Sequence, residues 1–281
     1  MIAVAVLTSL GTPHIWRFDS AILLIGVVLA ILFNDWSTWW LHRGRRAMAA
    51  GRVLEANADF TRAINASPED PFRYYCRAAA QLENGDRCLA REDIDRSAQL
   101  APDSGLPVAL RGWINVSDGL NEEARHDFLK AIELDPMLVS AELGCALVDF
   151  RCGSYAEAIR RAEKCRILHP HDIQSSCLLA WFLSTCCDDQ YRDGPRAVAI
   201  AEAVSRTRAE RFYWGELALA AAYAEIGRFD EALARGEYAV RLASQLQRSD
   251  VARFVESLKS GKALRDGRLA FEPDEENRRD A

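Results

Sequence analysis

The stretch GWINVSDGLNEEARHDFLKAIELDP, residues 112–136, decides the fold. Its ladder of Gly112, Gly119, Ala124, Phe128, Ala131 and Pro136 recurs upstream and downstream at a constant spacing of 34 residues. A fixed period of this size predicts an all-α array of helix-turn-helix units. Each rung has a local reason. Gly112 and Ala124 let two paired helices approach closely, and Gly119 supplies the helix-ending turn. Phe128 fills the space between neighbours, and Pro136 stops the second helix.

Aligned on the closing proline, four units follow without an insertion: 37–70, 71–104, 105–138 and 139–172. The first keeps Gly44, Gly51, Ala56, Phe60, Ala63 and Pro68, and the second keeps Gly85, Ala90, Ile94 and Pro102, with Ala78 in place of the first glycine. The fourth keeps Ala146, Gly153, Ala158 and Pro170 but carries Ala162 where the others carry a large residue. A fifth unit, 173–212, has extra residues around 188–194, expected as a solvated insertion before Pro195 starts a helix. A sixth, 213–246, is regular again. Residues 247–265 then read as an amphipathic helix whose Val251, Phe254, Val255 and Leu258 seal the last unit, as an open stack requires. Residues 266–281 form a charged tail.

The pattern resembles the tetratricopeptide repeat family of bacterial type. AIELDP at 131–136 and GRFDEAL at 227–233 carry the likeness, which extends over 37–246. It implies a right-handed solenoid with a concave groove lined by first helices, at positions 2, 5, 9 and 12 of each unit. Carried onto this chain, those positions hold Phe72, Tyr75, Trp113, Leu147, Phe150, Trp181 and Trp214. Large rigid side chains in a concavity are expected anchors for a partner peptide or helix. The basic residues with which some family members clamp a peptide's terminal carboxylate have no counterpart at these positions.

A second periodic pattern is charged. Position 7 is Arg43, Arg77 and Arg111 in the first three units, and position 23 is Asp59, Asp93 and Asp127. In the fourth unit both change, to Cys145 and Arg161. An unpaired guanidinium between helices is costly. The spacing therefore predicts structural Arg–Asp pairs, within a unit or with the preceding one, rather than a phosphate or carboxylate site.

The N-terminal segment is of another kind. Residues 20–33 contain AILLIGVVLAILF, and Trp16 lies on one side with Trp36, Trp39 and Trp40 on the other. Fourteen helical residues reach only about 21 Å, but 20–41 reaches about 33 Å, enough to cross a bilayer. The tryptophans suit the two interfaces. Arg43, Arg45, Arg46 and Arg52 follow the run while Arg17 alone precedes it. The charge bias predicts a single-pass inner or cytoplasmic membrane protein with its repeats in the cytoplasm.

Composition narrows the rest. The 281 residues carry a net charge of -6, which does not suit nucleic acid as a partner. All eight Cys lie between Cys76 and Cys187 without a C-x-x-C pair, as expected of reduced, buried thiols. His169 and His171 flank Pro170 in a turn, and no carboxylate set at ligand spacing makes them a metal site. No phosphate loop, nucleophile elbow or acid–base pair is visible. The sequence thus predicts no enzyme, no cofactor, no metal and no small-molecule substrate. It predicts a membrane-anchored scaffold that binds a protein, with a soluble or extracytoplasmic assembly factor as the alternative.

Overall fold

The computed structural model describes residues 36–207, 213–243 and 245–265. The charged tail and the expected membrane span lie outside the described residues, except for 36–41.

Among the described residues every regular element is helical. Helix α1 (residues 36–49) pairs with α2 (Val53–Ala66), and α3 (Pro71–Asn84) with α4 (Arg87–Leu100). Then α5 (Gly105–Ser117) pairs with α6 (Asn121–Leu134), and α7 (Val139–Arg151) with α8 (Tyr155–Leu168). Next come α9 (Ile173–Thr185) and α10 (Gly194–Thr207), α11 (Tyr213–Glu225) and α12 (Phe229–Leu242), and finally α13 (Gln245–Lys259). Each helix packs on its neighbours in sequence, and successive first helices also touch, as in α5 with α7 and α9 with α11.

Local chemistry sets the helix ends. Asp70 accepts from the Phe72 amide at 3.0 Å, which caps α3, while Pro71 occupies its first position. Gly85 ends the same helix at φ 89°, a left-handed conformation in which a β-carbon would be strained. The fifth unit has no such glycine. Cys186 leaves α9 at φ −55°, and the chain enters a short 3-10 turn, Asp189–Tyr191.

The core is uneven along the array. One continuous apolar cluster runs from Val108 in α5 to Leu258 in α13, with Phe128, Leu179, Phe182 and Leu217 among its most buried members. The first two units belong to smaller clusters, Leu41 with Phe60 and Ala80, and Ile94 with Ile114 of the third unit. Close approach of the helices explains the small residues. A β-carbon added at Gly112 would lie 2.7 Å from Phe128 Cε1.

One expectation changes here. Leu41 was assigned to a membrane span, but it is 9% exposed and packs with Ala56, Phe60 and Ala63. Residues 36–41 belong to the first repeat helix, so the apolar run ends before Trp36. Among the described residues no helix is long and apolar enough to cross a membrane. The insertion of the fifth unit is solvated, as expected, with Cys187, Asp189, Gln190 and Asp193 exposed, and it is also pinned. Arg192 donates to the Cys186 and Cys187 carbonyls at 2.8 and 3.2 Å and pairs with Glu225 of α11 at 3.1 Å. The Asp193 amide also donates to the Leu183 carbonyl at 3.0 Å.

Candidate partner-binding surface

The seven aromatic and apolar groove positions divide into two groups. Phe72 is 37% exposed and stacks on half-buried Tyr75, with ring centroids 5.9 Å apart. Trp113 is also half-buried, its ring set edge-on to Phe128 at 5.3 Å. These three, from α3 and α5, present ring surface to solvent. Burial raises the Tyr75 hydroxyl above its ordinary range, so it stays a neutral donor.

The second group is core. Leu147 and Phe150 are buried, the latter stacked on Phe182 at 4.3 Å. Trp181 is 1% exposed, between Trp214 at 5.2 Å and Phe254 of α13 at 6.1 Å. As groove anchors, Leu147, Phe150 and Trp181 are therefore corrected to packing residues. Position within a repeat states which way a side chain points, and the closure of neighbouring helices decides whether anything can reach it. Trp214 remains half-buried beside Trp181. Burial raises the Tyr213 hydroxyl next to it, and the charges of Glu83 and Asp250 push in the same direction.

The charged pattern forms a ladder through the array. Arg43 Nε lies 2.7 Å from Asp59, whose other oxygen takes Arg62 at 2.8 Å. Arg77 holds Asp93 through two bonds of 2.7 Å, and Arg111 holds Asp127 at 2.6 and 3.0 Å. The aspartates are buried while the arginines keep one side in water. In each case the partners are sixteen residues apart, across one hairpin. The hydrogen bond that Arg111 donates to Asp127 is the main reason its guanidinium is held more firmly protonated than usual.

Sequence reasoning missed the rungs between hairpins. Arg91 of α4 reaches Asn115 at 3.2 Å and Asp118 at 2.7 Å on α5, and Asn115 donates to Asp127 at 2.9 Å. Arg125 of α6 reaches buried Asp149 of α7 at 2.5 Å. The fourth unit keeps an acid–base set with its polarity reversed. Arg161 on the second helix lies 2.8 Å from Glu142 and 3.1 Å from Asp149 on the first. The signal was present at position 11, where Gln81, Asn115 and Asp149 interrupt an apolar face.

The remaining candidates are plain. All eight Cys are free, with Cys76, Cys145, Cys165, Cys177 and Cys186 buried. Tyr155 Oη lies 3.2 Å from Cys187 Sγ. His171 is exposed and His169 half-buried in their turn. Among the described residues no group of His, Cys, Asp and Glu is arranged to hold a metal ion.

No protein-family model matches the chain. The human DnaJ homolog subfamily C member 3 is 30% identical over 96 residues, 34% of this chain and 19% of that protein. The chain thus spans about a fifth of the length of the curated relatives it matches. A tetratricopeptide repeat protein of Parabacteroides merdae superposes with TM-score 0.58, covering 80% of this chain and 83% of that one at 19% identity. Pseudomonas aeruginosa PilF superposes with TM-score 0.52, covering 80% and 99% at 15% identity. The chain has the fold of a tetratricopeptide-repeat solenoid. Within this tetratricopeptide fold the open aromatic surface sits on the second and third units, and the fifth and sixth are closed by α13.

Proposed function

We propose that the chain is a protein-binding scaffold held at a membrane, with a partner peptide or helix seated on the open aromatic surface of α3 and α5. The observation that carries this reading is the exposed Phe72–Tyr75 stack beside half-buried Trp113. Two rings already stacked lose little freedom when a partner covers them, so burial of their faces is available for binding. Leu82, half-buried on the same helix one turn beyond Ala79, extends the apolar strip. Nothing among the described residues assembles nucleophile, base and oxyanion donors, so recognition rather than chemistry is the proposed mechanism.

Anchoring rests on the apolar run 20–33 and its aromatic flanks, and the cytoplasmic placement rests on the arginines that follow it. A reporter fused after Ala281 tests placement, with cytoplasmic activity expected and an extracytoplasmic signal overturning it. The groove is tested by pull-down with the full chain against a Phe72→Ala/Tyr75→Ala variant of unchanged melting temperature. A partner captured by the native chain and reconstituted with purified components is expected to bind the variant at least about tenfold more weakly, the loss of one or two hot-spot side chains. Equal affinity would remove this surface from the mechanism.

A further inference from the structure

The first unit leaves open two positions that the second to fifth units bury. Counting by the repeat, Trp39 corresponds to Arg73, Pro107, Ala141 and Ser175, all buried. Arg46 corresponds to Ala80, Ile114, Val148 and Phe182, each at most 1% exposed. The second helix of the preceding unit covers these positions: Arg73, for example, donates to the Ala63 carbonyl at the end of α2 at 2.9 Å. On α1 both positions are open, with Trp39 49% exposed and Arg46 exposed, and neighbouring Trp36, 58% exposed, has its ring 5.8 Å from that of Trp39.

What lies on this face is neither apolar enough to suit a packed helix nor polar enough to be a plain solvated end. Trp36, Trp39, Arg43 and Arg46 recur at three- and four-residue spacing and so share one side of α1. Arg62 of α2 joins them, its guanidinium 4.6 Å from the Trp40 ring, with Arg43 4.7 Å from the same ring. Residues 36–49 contain no carboxylate. Asp59 is shared between Arg43 and Arg62, and Arg46 is exposed with no ion pair among the described residues. Covering this face with the apolar run would bury Arg46 unpaired, at a cost of several kcal/mol.

We infer that the open end of the solenoid docks on the anionic headgroup layer of a bilayer, Trp36 and Trp39 entering the interface and Arg46 and Arg62 meeting lipid phosphate. The inference rests on the membrane-anchored reading. Indole rings favour the headgroup zone, and guanidinium pairs with phosphate through two parallel bonds. Chain length supplies the constraint. Phe33 ends the apolar run, so Trp36 lies within about 11 Å of it even when the chain is fully extended. The run is also short of a ~30 Å hydrocarbon core, and a short span draws its flanking residues inward. The solenoid therefore stands on the membrane by its first repeat, leaving the Phe72–Tyr75 surface one unit away free for a partner.

Hydroxyl-radical footprinting of the full chain reads the side chains directly. The chain is reconstituted in nanodiscs of phosphatidylcholine alone and of phosphatidylcholine mixed with phosphatidylglycerol, and Met137, 66% exposed and two units away, serves as internal reference. Oxidation of Trp36 and Trp39 is expected to fall several-fold on the anionic discs relative to the neutral ones, with Met137 unchanged. Arg46→Glu, at an exposed site, is expected to abolish the difference while the chain stays disc-bound. Equal, strong oxidation on both discs overturns the docking and leaves the anchor standing. Equal protection on both discs and in detergent means that protein covers the face, which also overturns it. Failure to associate with either disc overturns the anchor and the inference together.

Discussion

Asp127 shows how single residues hold this fold. It is 4% exposed and accepts from Arg111 Nη2 at 2.6 Å, Arg111 Nε at 3.0 Å and Asn115 Nδ2 at 2.9 Å. Arg111 keeps 37% of its side chain in solvent, whereas the carboxylate has no route to water. Arg111→Ala is therefore expected to cost about 3 kcal/mol and Asp127→Ala about 2 kcal/mol, measured by urea unfolding. Full stability with loss of partner binding would make Arg111 a ligand residue instead. Buried thiols give a pH dependence. Burial lifts Cys76 from the ordinary 9.0 to about 12. Below pH 9 both folded and unfolded states keep this proton, and the contribution to stability is complete. Between pH 9 and about 12 only the unfolded chain ionises, so stability falls as pH rises, by about 1.4 kcal/mol per unit in this window. Cys76→Ala is expected to flatten that part of a pH–stability profile, and an unchanged slope would show the thiol is not the titrating group. Arg111 and Asp127 were legible because they recur with the period. Asn115 and Asp149 were overlooked although position 11 is polar in three units, because their partners Arg91 and Arg125 sit on the preceding hairpin.

At the scale of helices, close approach sets the sequence. Phe128 on α6 lies against Gly112 on α5 so tightly that any β-carbon there meets its ring. Gly112→Val is thus expected to lower stability by about 1–3 kcal/mol through overpacking, with Phe128→Leu recovering part of the loss in a double-mutant cycle. Independent, additive effects would show that the two do not set the α5–α6 spacing. Helix pairing and helix-ending glycines were readable because each depends on residues within one hairpin. The pinned turn after α9 was not, because its determinant, Arg192, works through Glu225 two helices later. The groove fared likewise. Phe72 is open and Trp181 closed although both occupy first-helix groove positions, and the difference lies in Phe254 of α13, far along the chain.

The whole molecule is an array with unequal ends, and that inequality predicts how it unfolds. From α5 to α13 one apolar cluster links every unit, with Phe128, Phe182 and Leu217 near zero exposure. The first two units belong to small clusters built largely of alanine, and their cohesion leans on Arg43–Asp59 and Arg77–Asp93. In an array each unit is stabilised by its own contacts and those of its neighbours, so weaker units open first. Deuterium exchange under native conditions is expected to place the amides of α2–α4 in a lower free-energy class than those of α7–α12. Raising salt should widen the gap, since the arginines of the first units are partly exposed and screening weakens their pairs. Asp149→Ala removes the Arg125 contact between the third and fourth units and leaves Arg161 with Glu142 and Glu157 of its own unit. It is therefore expected to separate the two classes further and split a single urea transition in two. One coincident transition by far-ultraviolet dichroism and tryptophan fluorescence, before and after this substitution, would mean that the ladder does not couple the halves. Trp113, Trp181 and Trp214 lie in the late cluster and Trp36, Trp39 and Trp40 in the first unit, so fluorescence reports on both ends, and replacing Trp16 and the first-unit tryptophans by phenylalanine would isolate the late one.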